Sequence, residues 1–518
     1  MNPFFRRFLP VLATVLALAV EARAERIFPV NSIFGGKVFD QPSVASNGNT
    51  IHVAFVGTNA GNTDITLYYA AVNGAADFTS NSTTDNQVLV IRAVAIDNGL
   101  YTQARHPQIA VRAAGQLVVL FQAVPAGGTE SKLFRALISL GNNAVTRQTV
   151  EEVRDPSGLP MAGALSDPSF GLVTTDNTLR VAYADNTAHV LYARVGIDNA
   201  LLAGTPILLN PQEASRGVRP LPRLRLDSLN RSHIAWAANN NSGAASGVYY
   251  ALVKQGTGGI DNLAIGATQV LAGGYRWGFP NVLVQANSRI LILAADEPYG
   301  PFDTTGIAGS LGVSLLNPDG VTQNGEPVTS LNVGSNASFF LFPPGQSVLG
   351  TNFDAYRPEA ALDSSNRLYV AGYGTLASES PLVGTPGRFY AMSVSGVTTG
   401  SGSTAEISQM ASAPLPVGNA ELAFAGSLPG DYTRPAFTRY SGKTVLFWSG
   451  PAITGGRNLY VTSVPSVADT PTATTQSGCS VVGDPRRGEA GRTPGAAVLF
   501  LPAALLALRR FARKAFAR

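Results

Sequence analysis

Seven copies of one phrase run through this chain and constrain its fold more than any other feature. Their prolines are Pro42, Pro107, Pro168, Pro222, Pro280, Pro358 and Pro435, spaced 65, 61, 54, 58, 78 and 77 residues apart. An alternating segment follows each proline, as at 108–111, 281–284 and 359–362. After a polar turn comes a second apolar run ending on a small or aromatic residue, as at 51–55, 117–121, 179–183 and 445–448. A third run follows at 67–70, 190–193, 389–392 and 459–461, and a fourth often precedes the next proline, as at 87–91, 205–209 and 268–271. Alternation with a period of two, broken by Asp, Asn and Gly, puts alternate side chains on one face and predicts antiparallel meanders. The fifth copy, with 311–316 as its third run, lacks the tyrosine of the others.

A meander of three or four strands has two apolar faces and two open edges. Stacking copies face to face around an axis buries both faces and leaves only short edges. The expectation is therefore an all-β fold, a seven-bladed β-propeller over residues 25–465. In the last copy no fourth run fits before the Pro/Thr-rich stretch that starts at Pro465. Residues 26–30 and 33–39 are strand-like. Part of residues 25–39 is expected to pair with residues 457–464 and close the last blade.

The pattern P-x-Φ-x-Φ-D-S-x-x-R-x-x-Φ-A-W, followed by G-Φ-Y-Y-A, is read from residues 222–251. It resembles the blades of sialidase-like propeller proteins of bacterial surfaces, over about residues 40–465. The Asp-box turn of true sialidases is missing, and Asp227-Ser-Leu-Asn and Asp363-Ser-Ser-Asn stand at the corresponding hairpins.

The ends read as targeting segments. Arg6 and Arg7, an apolar run over 9–20, and Ala22-Arg-Ala24 make residues 1–24 a signal peptide, cut after Ala24 by signal peptidase. Residues 466–494 form a Pro/Thr-rich stalk with a Gly478-Cys479 pair, and residues 495–518 form an apolar helix with a basic end. That order resembles the C-terminal sorting tails of Gram-negative bacteria, the PEP-CTERM-like class, in its Gly-Cys (Myxo/JDVT-CTERM) variants. The resemblance implies an intramembrane sorting protease as partner and Cys479 as the point of processing or lipid attachment. A plain membrane anchor through the tail is the simpler alternative. Either way the protein is expected to be exported to the cell envelope or outer surface.

Charge supports that division. The formal net charge is +4, yet residues 25–478 hold 26 basic and 30 acidic residues. The basic excess belongs to the ends, which removes the electrostatic footprint expected of a nucleic-acid-binding body. Cys479 is the single cysteine, so no intramolecular disulfide forms.

Candidate chemistry is sparse. Arg105, Arg219, Arg357 and Arg434, with Arg276 slightly further off, lie just before the first strand of their copies. If the first strand lines a central channel, these guanidinium groups ring one mouth and could clamp a carboxylate or sulfate. Sialidases hold their sugar's carboxylate with an arginine cluster, which the resemblance carries over as an expectation of ligand binding. Asp40 and Asp167 occupy similar positions and could instead pair with these arginines. For sialidase-type hydrolysis Tyr356, Tyr432, Asp354, Asp431, Asp296 and Glu297 are available, but no spacing selects among them. No catalytic residue is therefore assigned. His52 and His233 occupy matching second-strand positions and read as repeat packing, while His106 and His189 fall elsewhere. No cofactor or metal centre is expected; Asn239-Asn-Asn-Ser and Asp185-Asn could hold calcium, as could any polar loop. The leading functional expectation is a binding or scaffold module for acidic glycans. The alternatives are a sialidase-like glycoside hydrolase or lyase, and a platform for surface proteins of the envelope.

Overall fold

The computed structural model describes residues 26–28, 33–34, 36–47, 50–59, 65–73, 90–96, 99–113, 115–141, 144–210, 220–238, 247–256, 259–271, 277–285, 290–296, 311–319, 330–332, 338–342, 353–363, 367–376, 386–394, 415–421, 434–440, 443–451 and 457–464. The chain divides into two compact units, 1–469 and 470–518, and every described residue belongs to the first. The expected signal peptide, Ala24, the stalk, Cys479 and the apolar tail lie outside the described residues, as do Arg219 and Arg276.

The described body is almost entirely β and propeller-like. Its strands form antiparallel sets spanning 36–96, 101–152, 165–208, 223–271, 277–342, 353–421 and 436–464, here numbered one to seven. Sets one and seven belong to a single eight-stranded sheet, joined by one parallel pair, Val38 with Arg457. The N-terminal strand Arg26–Phe28 completes set seven: Arg26 pairs with Val461, Ile27 with Tyr460 and Phe28 with Leu459. The pairing expected from the sequence is thus present, and it covers an edge that the following Pro/Thr-rich stretch could not satisfy.

Packing between sets explains the composition of the inner strands. In Ser232–Ala238 every residue is buried, so both faces pack and the strand reads as small and aromatic residues rather than as apolar and polar in turn. Each apolar cluster is shared by neighbours: Tyr69 and Phe121 join sets one and two, Leu120 and Phe170 sets two and three, Tyr192 and Trp236 sets three and four, and Tyr250 and Ile292 sets four and five. Set seven meets set one through Phe447 and Phe55. At Gly171 a Cβ would lie 2.5 Å from the Leu226 side chain of set four, so only glycine allows that approach.

Pro222 and Pro435 stand just before Arg223–Leu226 and Ala436–Tyr440, as the sequence pattern suggested, but the other five repeat prolines do not open their strands. Pro42, Pro107, Pro168, Pro280 and Pro358 lie inside Gly36–Asn47, Tyr101–Ala113, Leu165–Val173, Trp277–Val284 and Phe353–Leu362. Each sits where the register with the next strand slips: between Asp40 and Ser43, Arg105 and Gln108, Ser166 and Ser169, Gly278 and Asn281, and Tyr356 and Glu359. At a bulge the ladder leaves a residue unpaired, so proline's missing N–H is tolerated there. The residue before the proline takes a left-handed conformation at four of these bulges, with φ of 54° at Gln41, 49° at His106, 53° at Asp167 and 49° at Phe279, and Leu221 before Pro222 does the same with φ of 46°. Such geometry costs a non-glycine residue roughly 1–3 kcal/mol and persists because the surrounding sheets over-determine it.

Candidate functional site

The segments around the repeat prolines converge. Residues on both sides of the prolines of sets one, two, three, four and seven, together with Glu359 of set six, line one concavity of about 140 Å3. The residues just after the prolines behave in two ways. Ser43 and Ser169 accept hydrogen bonds from the backbone of Ile109 and Leu224 in the next set, at 3.1 and 2.9 Å. Asn281 likewise donates to the carbonyl of Pro358 at 2.8 Å. These side chains stitch neighbours together. Arg223 and Glu359 hold the same repeat position but meet each other, 2.5 Å apart, from sets four and six.

Glu359 gathers further cations. Arg225 Nη2 is 3.8 Å from its Oε1, and Arg434 Nη1 from set seven is 3.9 Å from its Oε2. Arg434 also donates to the carbonyl of Pro280 at 3.2 Å, with its guanidinium 4.7 Å from the centre of the Phe279 ring. Three guanidinium groups thus surround one buried carboxylate. The side chains of Arg223 and Arg434 are 12% exposed, whereas that of Arg225 is 42% exposed.

Across the concavity, His106 Nε2 lies 3.5 Å from Asp167 Oδ1. Asp167 also accepts from Ser166 Oγ at 3.0 Å. Gln41 Oε1 accepts from the His106 backbone at 2.6 Å, while its buried Nε2 has no acceptor among the described residues.

The arginines singled out by sequence are therefore placed unequally. Arg434 lines the concavity. Arg105 is half-buried, donates to Gln103 Oε1 at 3.3 Å and is not part of the lining. Arg357 lies on Phe353–Leu362, but its side chain, like all of Arg219, is outside the described residues. Asp167 pairs with His106, and Asp40 accepts from the Gln41 backbone at 2.8 Å. Sequence reading missed Arg223, Arg225, Glu359 and His106. The signal was there in part, since Arg223, Glu359 and His106 each adjoin a repeat proline.

Other titratable clusters lie at the hairpins. Asp227 Oδ1 accepts from the backbone of Leu229 and Arg231, both at 2.9 Å, and its Oδ2 meets Arg231 Nε and, at 3.1 Å, His233 Nε2. Hydrogen bonds from His233 and Arg231 outweigh desolvation and hold the Asp227 carboxyl down at about 2. His233 Nδ1 is 2.8 Å from the Tyr250 hydroxyl, and His52 Nδ1 is 2.8 Å from that of Tyr69. Burial, helped by Arg92, lowers His52 to about 4, and burial also lowers His233 and raises both tyrosines. The repeated His–Tyr contact fits the packing role expected from their matching positions. Between sets three and four, Tyr192 donates to the buried Asp261, which Arg180 and Arg194 approach at 3.9 and 3.6 Å.

No protein-family model matches the chain, and no curated protein does. Among solved structures it is similar to polysaccharide lyase Uly1, at 10% identity and a TM-score of 0.41, over 82% of this chain and 89% of that one. It is similar also to the α-L-arabinofuranosidase Arb93A of Fusarium graminearum, at 10% identity and a TM-score of 0.40, over 85% and 97%. A thermostable family-43 glycoside hydrolase gives 13% identity and a TM-score of 0.30, over 57% and 93%. At that level of likeness neither activity nor substrate carries over.

Proposed function

We propose that this chain is a seven-bladed β-propeller, exported and held at the cell envelope, whose channel mouth binds the carboxylate or sulfate of an acidic glycan. The observation that carries the reading is the gathering, among the described residues, of three guanidinium groups at one carboxylate. Arg223, Arg225 and Arg434, from two different sets, face the single carboxylate of Glu359. Structural pairing alone needs one guanidinium per carboxylate, and Arg225, the most exposed of the three, is placed to meet a ligand. Guanidinium groups offer a carboxylate or sulfate two parallel donors. The concavity of about 140 Å3 suits one such group of a longer chain rather than a whole oligosaccharide.

Titration calorimetry against glucuronate-containing and matched neutral oligosaccharides tests this. Arg225→Ala should weaken binding of the acidic ligand roughly tenfold, the scale of one charge-assisted hydrogen bond. Equal affinity for acidic and neutral ligands would end the reading.

A second reading has its own support. His106, Asp167 and Glu359 line the same concavity as the arginines. A guanidinium that neutralises a uronate carboxylate acidifies the neighbouring carbon, and an imidazole beside it could remove the proton. That is the arrangement of a lyase. A chain that releases unsaturated uronate from an acidic polysaccharide, and stops doing so as His106→Ala, would replace the binding reading by this one. Export, processing at Ala24 and Cys479, and the two proteases as partners rest on the terminal sequences; intact mass of the mature chain tests them.

A further inference from the structure

Away from the channel, the outer part of set two faces a second and larger concavity of about 320 Å3. Its wall follows from strand register. Arg135 pairs with Glu151, Leu137 with Thr149 and Ser139 with Arg147, so these six side chains share one face of the two outer strands. The inner part of that face packs on set three through Ala110, Val118, Leu120 and Leu137. Among the described residues the outer part lacks such a cover: the last strand of set three, Ile207–Leu208, is two residues long against nine for Ala144–Glu152. Of the described residues of set three, a turn brings Ile197 and Asp198 to the rim.

The charge of this groove is uneven. Arg112, Arg135 and Arg147 line it with Glu151 and Asp198. Arg135 is fixed: it is 5% exposed, donates to the carbonyls of Gly196 and Ile197 at 2.9 and 3.1 Å, and contacts Glu151 at 3.4 Å. Its Nε is buried with no acceptor among the described residues. Arg112 Nε donates to Asn177 at 3.3 Å. Arg147 is exposed and has no ion-pair partner among the described residues. Polar groups of Gln116, Ser139 and Thr149 stand beside these cations, and Ile197, 63% exposed, gives an apolar edge.

We propose that this groove is a separate binding site for one carboxylated or sulfated sugar unit. Arg147 and Arg112 hold the anionic group, and Arg135 supplies fixed positive charge beneath it. Thr149, Ser139 and Gln116 meet the hydroxyls, and Leu137 and Ile197 cover the C–H face of the ring. The volume is near the lower end of small-molecule sites, roughly 300–1,000 Å3, which limits the ligand to a small unit. The site does not depend on the channel mouth, and the test separates the two.

Calorimetry of the full chain carrying Arg225→Ala, with methyl β-glucuronide, glucose 6-sulfate and neutral methyl glucoside as probes, reads the groove with the mouth weakened. One or both acidic probes should bind and the neutral one should not, which also tells carboxylate from sulfate. Adding Arg147→Ala should weaken that binding about tenfold, and Arg112→Ala a similar amount again. Thr149→Trp, which fills the groove and keeps all three arginines, should abolish it. Of the three added positions Arg147 is exposed and Arg112 and Thr149 are half-buried, none in the core, so the fold should survive; an unchanged thermal transition checks this. No acidic binding in the Arg225→Ala chain, or binding indifferent to Arg147→Ala and Thr149→Trp, overturns the proposal.

Discussion

The hairpin of set four and the concavity at the repeat prolines, the proposed mouth, both bury a carboxylate among cations, yet they are built on different scales. Asp227 finds every partner within six residues: the backbone of Leu229 and Arg231, the Arg231 side chain and His233. Glu359 finds its partners 136 residues upstream at Arg223 and, in set seven, at Arg434. The first arrangement is a closed local circuit in which each donor has its acceptor, and it recurs in weaker form at Asp363 and Arg367. The second exists only when distant sets meet, and among the described residues it brings three guanidinium groups to one carboxylate. A local circuit stabilises its own hairpin. A surplus assembled from distant positions has no such use, which makes the mouth the better place to look for a ligand.

The sharpest way to break this comparison is to remove each carboxylate. Asp227→Ala leaves Arg231, His233 and two backbone donors without their acceptor in a buried place. Losing one partner of a buried ion pair costs about 3 kcal/mol. Chemical denaturation should show that loss, with no change in binding of acidic glycans. A loss under about 1 kcal/mol would mean that water replaces the carboxylate and that the hairpin is not the closed circuit described.

The same contrast decides what the sequence could say. Strand pattern, the turn at Asp227 and the matching of His52 with His233 are local or repeated, so alternation and spacing exposed them. The pairing of Arg26–Phe28 with set seven was legible too, because the last copy lacks a fourth run and the residues before the first copy supply one. The bulges were not, since a proline inside a strand reads as its beginning. Once that register is misplaced, Arg223 and Glu359 look like ordinary strand residues, and attention goes to Arg105 instead. What brings Arg223, Glu359 and Arg434 together is the meeting of sets four, six and seven, which no local pattern encodes.

A second test concerns pH. Folded His52 titrates near 4, depressed by burial from the ordinary 6.5. Between those values the unfolded chain binds the proton and the folded one does not, so stability rises with pH through the window and falls as acid is added. The difference between the wild-type chain and His52→Gln should shrink by about 2 kcal/mol from pH 7 to pH 5. Parallel stability curves for the two chains would show that the imidazole takes its proton in place, and that the contact with Tyr69 tolerates charge.

The smallest effect on stability, and the one that separates the two regions, is expected from Glu359→Gln. The amide keeps the side chain's shape and an acceptor for Arg223 but removes the charge that the three guanidinium groups share. Because Arg225 is 42% exposed, water and salt screen the repulsion that remains. The loss should be about 1 kcal/mol at physiological ionic strength and greater at low salt. Binding should move the other way. Glu359 occupies the donors that an incoming carboxylate or sulfate needs, so neutralising it should strengthen acidic-glycan affinity severalfold while leaving neutral glycans unaffected. A structural salt-bridge cluster predicts only the first change. If Glu359→Gln weakens the fold as much as Asp227→Ala and leaves acidic ligands unaffected, the mouth is another closed circuit, and the distinction between the two regions disappears.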